Sequence, residues 1–273
     1  MKQLEKLTLA FQSKYSRFNK HSVLSEINEA AGSGRKTLID KQTYALLTLA
    51  SELYDASHGL FDASSGVLQR AWDFKAMERP SEEMLAPLLD LVDWRKVKIE
   101  ADSVYLEKKG MTLDFGGIGK EYACDLAKQF LCGIGYHHGY INFGGDIVLL
   151  GPHPNGKPWR CGIQHPEKAG TAITTIDLST GALTTSGDYE KSFVQDGVRY
   201  CHILNPKTGY SIQSKWRSVS VVAENATLAG TYATLAMLLS DQKSANETFD
   251  LSELRVPTIA VAKDYSVSTY CFS

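Results

Sequence analysis

Four short stretches of this chain concentrate residue types that handle phosphate groups, protons and metal ions. The first is DFGGIGK, residues 114–120, in which three glycines lie between an acid and a lysine. It runs directly into an apolar-periodic segment, EYACDLAKQFLCGIG. The N–H groups that open a helix have no partner and carry partial positive charge, so a glycine-rich turn ahead of a helix lets an anion approach closely. Lys120 would add a full charge there. The spacing is neither G-x-x-x-x-G-K-[ST] nor G-x-G-x-x-G. Taken alone, the loop is either an anion cradle or a tight strand-to-helix connection whose glycines adopt positive φ.

The second stretch is INFGGDI, residues 141–147, a double glycine in an apolar strand. Glycine weakens a strand and there marks a bulge or a close backbone approach. The third, TTSGDYEKSF at 184–193, gathers hydroxyls, a glycine and an acid at a strand end. The fourth, HILNPKTGYS at 202–211, sets His202 ahead of an Asn-Pro-Lys-Thr-Gly turn. An imidazole, with an ordinary pKa of about 6.5, suits a general base. Alternating with Tyr200 and Leu204, His202 reads equally as a structural strand histidine.

The elements that must position these residues are legible from periodicity. Leu4, Leu7, Phe11, Tyr15 and Phe18 fall on one face of a first helix over residues 1–18, and a second runs over 41–57 with Gly59 as its stop. Pro80 and SEEM begin a short helix, strands follow at 96–106 and 111–115, and the loop 114–120 feeds a helix carrying Ile118, Tyr122, Leu126, Phe130 and Ile134. Further strands are expected at 140–150, 159–164, 172–178, 182–186 and 217–223, with Asp196-Gly197 a hairpin turn. Glu224 and Asn225 cap a last helix through Ser240. Long helices among short strands, some in hairpins, define a mixed α/β architecture.

Composition narrows the functions. With 43% hydrophobic residues the 273-residue chain can bury a large core. A net charge of -2 and a pI near 6.4 give no footprint for nucleic acid or an anionic membrane. Five scattered cysteines without CxxC spacing read as reduced thiols. The N-terminal apolar run is too short and polar for a signal peptide, and no segment reaches the roughly 18 to 20 apolar residues of a membrane span. The expectation is a cytoplasmic protein without membrane insertion.

Seven motifs in order, SRFNKHSVLSEIN, GLFDASSGVL followed by Trp72-Asp73-Phe74, LDFGGIGKEYACD, INFGGDI, TSGDYEKSF, HILNPKTGY and VVAENATLAGTYATLAMLL, resemble the ApbE-type family of FAD:protein FMN transferases over nearly the whole chain. The resemblance implies an ApbE-type flavin transferase fold over residues 1–273, with mixed and antiparallel strands and flanking helices, as one domain or two closely packed lobes of about 1–110 and 111–273. It implies a magnesium-dependent enzyme that binds FAD, splits its pyrophosphate, releases AMP and transfers FMN to a Ser or Thr hydroxyl of a client protein. Carried over by motif, Asp114 and Lys120 would contact FAD, as would Phe18, Leu60, Phe61, Asp62 and Ile203. The carbonyl of Gly117 and the hydroxyl of Thr234 would sit at the metal. His202 would be the base or orienting group for the client hydroxyl, with Asp188 helping to position it. Asp62 also reads as a loop cap, and Thr234 as a structural helix hydroxyl.

The last helix departs from the family pattern. Members read A-D-A-L-A-T, with the Asp a magnesium ligand, whereas residues 229–234 here read AGTYAT and put Gly230 in its place. Thr231, Asp146, Asp188 or water are candidates to complete the coordination. A second reading therefore stands beside the first, an FAD- or FMN-binding protein with lost or weak transfer, acting as a flavin carrier or slow FAD pyrophosphatase. On that second reading Gly230→Asp should raise magnesium affinity and turnover.

Overall fold

The computed structural model describes residues 2–241 and 250–272; Met1, included in the expected first helix, lies outside them. Among the described residues the helices are α1 Lys2–Tyr15, α2 Val23–Glu29, α3 Lys41–Ala56, α4 Glu82–Leu89, α5 Gly119–Gly133 and α6 Ala226–Leu239. The strands are β1 Thr37–Leu38, β2 Val97–Glu100, β3 Ser103–Leu106, β4 Gly139–Phe143, β5 Asp146–Gly151, β6 Trp159–Gln164 and β7 Ala172–Leu178. They continue with β8 Ala182–Gly187, β9 Ser192–Gln195, β10 Val198–Cys201, β11 Trp216–Ala223, β12 Thr258–Ala262 and β13 Val267–Tyr270. The chain forms two compact units. Unit 1 comprises Met1–Thr8, Gly117–Ser192 and Ile212–Ser273, and unit 2 comprises Leu9–Gly116 and Phe193–Ser211.

Unit 1 is built on a six-stranded sheet in the order β13-β12-β11-β8-β5-β4, with every neighbouring pair antiparallel. Successive strand residues point to opposite faces, and β8 illustrates the result. Ala182 joins Cys124 of α5, Val148 and Ala226 of α6 in one cluster, while Leu183 joins Cys161, Ile163 and Ile259 in another. The helices α5 and α6 thus cover one face, and the antiparallel β6–β7 hairpin covers the other. Helix α6 carries no charged residue and buries nine of its fourteen positions, as a helix sandwiched between a sheet and a neighbouring helix must.

Asp125 of α5 sets the register of the helix pair. Its carboxylate accepts from Ala226 N and Thr227 N, both at 2.8 Å, and from Thr227 Oγ1 at 2.6 Å, satisfying amides that open α6. Asn225 caps the same end, accepting from Leu228 N at 2.8 Å. One turn earlier on α5 and one turn later on α6, Glu121 lies against Gly230, so the two helices run antiparallel.

Unit 2 contains α2, α3, α4, the small antiparallel sheet β1-β3-β2 and the β9–β10 hairpin. Its aromatic core joins Trp72, Phe193 and Tyr200, and Trp72 Nε1 donates to Gly209 O at 2.9 Å. The Asp196-Gly197 turn takes positive φ at both residues, 52° and 74°, as a two-residue hairpin of this twist requires.

Three expected strands come out differently, the first being 96–106, which turns back on itself as the antiparallel pair β2–β3. Residues 111–115 form no strand; Thr112 makes a single bridge to Ser65, and Leu113 bonds through its backbone to the Asn28 side chain instead. The expected strand 140–150 is the hairpin β4–β5. Gly144 and Gly145 have φ of 59° and 97° and form its turn, with Gly145 N donating to Asn142 Oδ1, so the double glycine reverses the chain and is not a bulge. Asp125→Ala removes three hydrogen bonds to a helix start and is expected to cost about 2 kcal/mol in urea denaturation, with Asp125→Asn recovering part of it.

Candidate functional site

The loop that opens α5 does not use its glycines for left-handed backbone: Gly116, Gly117 and Gly119 all keep φ outside the positive region. Residues 116–118 form a turn into the helix, but the positive-φ reason for its glycines fails. Helix α5 starts after Ile118 with no side-chain cap, and its first internal bond runs from Tyr122 N to Ile118 O. The amides of the first turn are left to whatever binds there, which is the arrangement an anion uses.

In unit 1 Lys120 and Asp146 meet at this helix start, and other site candidates lie on β8, α6 and the segment after β8. Lys120 Nζ lies 2.9 Å from Asp146 Oδ2, an ion pair not aligned as a hydrogen bond. Burial pulls the ammonium pKa down, but the Asp146 charge outweighs it and holds Lys120 above its ordinary value. Asp146 opens β5, is 1% exposed, and accepts only a long 3.4 Å bond from Thr185 N on β8. The next β8 residue, Ser186, shares a 2.9 Å hydrogen bond with Thr234 Oγ1 of α6. Thr231, one of the candidate replacement ligands, instead donates back to Thr227 O at 2.8 Å. Asp188 takes Arg217 Nη1 at 3.0 Å. Gly117 stands two residues ahead of α5 in the same unit.

Glu121 was not singled out by the sequence. It is buried against Gly230, its Oε2 has no hydrogen-bond donor, and burial together with the Asp146 carboxylate beside it pushes its pKa up to about 8. The signal was present as an acid directly after the loop lysine, but the apolar period of the helix gave it no distinct role.

In unit 2, Asp114 is held from both sides. Arg17 Nη1 donates to Oδ2 at 2.7 Å and Gly116 N donates to Oδ1 at 2.7 Å. The Arg17 guanidinium also lies 4.8 Å from the ring centre of Phe18, which is 83% exposed and presents an aromatic face to solvent. Phe61 is buried and Leu60 half-buried. Asp62 caps its own loop, accepting from Ser64 N at 2.7 Å and Ser64 Oγ at 2.6 Å, and burial raises its pKa despite those bonds. His202 is exposed just past the end of β10, and Ile203 follows it. Asn205, fully buried, folds the turn beyond by accepting from Lys207 N.

Magnesium takes hard oxygen ligands, commonly one or two carboxylates with the rest from substrate phosphate and water. The unit 1 cluster fits that requirement: two buried carboxyl groups lie beside one lysine, and an oxygen of each has no hydrogen-bond donor. The hydroxyls of Ser186 and Thr234 lie on the adjoining β8 and α6. No helix among the described residues is long and apolar enough to cross a membrane.

An antiparallel six-stranded sheet with its helix pair, an uncapped glycine loop and an acid–lysine cluster define a fold found among solved flavin transferases. The structure is similar to an ApbE protein from Thermotoga maritima with a TM-score of 0.87 at 29% identity, covering 98% of this chain and 89% of that one. It is also similar to the flavin transferase ApbE from Vibrio cholerae, with a TM-score of 0.84 at 25% identity over 98% of this chain and 86% of that one. The ApbE family profile matches residues 2–253, and the chain belongs to that family. Among curated relatives, an FAD:protein FMN transferase of Treponema pallidum is 31% identical over 82% of this chain and 66% of its own length. One of Rhodobacter capsulatus is 32% identical over 80% of this chain and 42% of its own length.

The raised pKa of Glu121 has a consequence for stability. Between pH 4.5 and about 8 the folded state holds a proton that the unfolded chain has released, so stability falls as pH rises through that window. Denaturation at several pH values with a chelator present is expected to show this slope in the native protein and a flatter one in Glu121→Gln. An equal slope in both would refute the assignment.

Proposed function

We propose that this chain is an FAD:protein FMN transferase that binds FAD, splits its pyrophosphate, transfers FMN to a Ser or Thr hydroxyl of a client protein and releases AMP. The observation that carries this reading is the start of α5, where unpaired amides and Lys120 adjoin buried carboxylates in a chain of the ApbE family. Phosphoryl transfer asks mainly for charge neutralisation and alignment. That combination of groups supports both.

The roles follow residue by residue. Phe18 offers a ring face for the isoalloxazine, and Asp114, clamped by Arg17, a fixed acceptor for a polar group of FAD. Leu60, Phe61, Asp62 and Ile203 belong to segments read as further FAD contacts, Phe61 and Asp62 chiefly by shaping their loop, since both side chains are buried. Lys120 and the first amides of α5 bind the pyrophosphate oxygens. Magnesium, held by Asp146, Thr234 and the Gly117 carbonyl, would neutralise charge on the phosphate oxygens. The client hydroxyl attacks the phosphorus on the FMN side, the bond from that phosphorus to the bridging oxygen breaks, and AMP leaves with that oxygen. His202 takes the hydroxyl proton. Asp188, tied to Arg217, is a positioning residue on this reading. Its clients would share the cytoplasm with it, a compartment that suits five cysteines without a disulfide.

Gly230 favours a second reading, a flavin carrier without chemistry, because α6 offers no carboxylate at the family's ligand position. Incubation with FAD and an acceptor protein carrying Ser and Thr hydroxyls, with and without magnesium, separates the two. Magnesium-dependent AMP release is expected; FAD binding without AMP would leave only the carrier, and no binding would end both. His202→Ala is expected to slow transfer by about 10²-fold while FAD affinity stays unchanged. Transfer at the full rate would remove the base role.

A further inference from the structure

Gly230 has no backbone reason to be glycine. Its φ lies in the ordinary helical region, and glycine inside a helix costs about 1 kcal/mol relative to alanine. The reason lies across the helix pair. A Cβ on Gly230 would stand 2.5 Å from Glu121 Cγ, 3.1 Å from its Cδ and 3.3 Å from Oε1, so the glutamate occupies the room that a side chain at 230 would need.

We propose that Glu121 is a divalent-cation ligand, its carboxylate delivered from α5 into the space above Gly230 so that it faces the same ion as Asp146. The inference rests on the transferase reading only for the identity of the ion as magnesium. Glu121 is 9% exposed, and although its carboxyl group meets its own backbone amide and the Asp146 carboxylate, no donor reaches its Oε2. Burying a second ionised carboxylate beside Asp146, with Lys120 the cation that pairs with Asp146, is costly, so without a cation Glu121 keeps its proton and only positive charge from outside the chain lets it ionise there. A divalent ion supplies that charge. The remaining oxygens are close in the fold: Thr234 follows Gly230 by one turn on the same face of α6 and bonds Ser186. Two carboxylates with hydroxyls, and the rest from phosphate and water, is a set that magnesium accepts.

The carboxylate would thus come from the opposite helix to the one the family pattern uses. The two positions face each other, so a carboxylate on either helix reaches the same space, but both cannot be filled together. On this proposal Gly230→Asp alone adds no ligand unless Glu121 moves aside, because the added Cβ would meet the Glu121 side chain.

The test is direct cation binding by the full chain, read by electron paramagnetic resonance with Mn²⁺ as probe and Mg²⁺ as competitor, with and without FAD. Glu121→Gln keeps the side-chain volume, should fold, and is expected to weaken Mn²⁺ binding about ten-fold or more. Gly230→Asp alone should lower Tm. The exchange pair Glu121→Gly with Gly230→Asp should return Mn²⁺ affinity to near the native level. Native Mn²⁺ affinity in Glu121→Gln, or no Mn²⁺ binding by the native protein, would overturn the proposal. Mn²⁺ binding that depends on Glu121 without AMP release from FAD would uphold the ligand and sink the transferase reading. AMP release with Mn²⁺ affinity indifferent to Glu121 would do the reverse.

Discussion

The close antiparallel contact of α5 and α6 is the constraint on which the chemistry of unit 1 depends. Asp125 satisfies the opening amides of α6 and in doing so fixes the sliding register of the two helices. With that register fixed, Gly230 must face Glu121, one turn along each helix. A shift of either helix by one residue would rotate Glu121 by about 100° off that face. The carboxyl group would then reach water, and the buried acid pair would not form.

The sheet beneath holds the second half of the same cluster. Asp146 opens β5 immediately after the Gly144-Gly145 turn, and β8 brings Thr185 and Ser186 beside it through antiparallel pairing. Lys120, first turn of α5, answers Asp146 from the helix layer. Helix and sheet thus each contribute acid and hydroxyl groups to a region whose low solvent access strengthens every electrostatic interaction in it. Unit 2 is organised differently. There Arg17 ties Asp114 to the end of α1 and leaves Phe18 exposed, so a polar clamp is rigid while the aromatic face stays open.

Much of this was legible in the chain. The helix after the glycine loop, the capped last helix and the Asp196-Gly197 hairpin follow from periodicity and turn chemistry, which are local. So do the family motifs, and with them Lys120 and Thr234. The misreadings are equally local in origin. An apolar run with two central glycines is consistent with one bulged strand or two short ones, and only the pairing of β4 with β5 chooses. A hydrophobic 111–115 suggests a strand, but no neighbouring edge runs beside it for more than one bridge.

By itself the sequence determined the family, most of the elements and most of the residues proposed to face phosphate, because these depend on composition and spacing within a few turns of chain. It marked Gly230 as a loss, since an alignment of motifs compares each position only with its counterpart. Only the tertiary structure decided that Glu121, more than a hundred residues away, fills the place from the other helix. Which side chain occupies a volume is a property of packed neighbours, and the spacing of residues along one chain segment does not carry it.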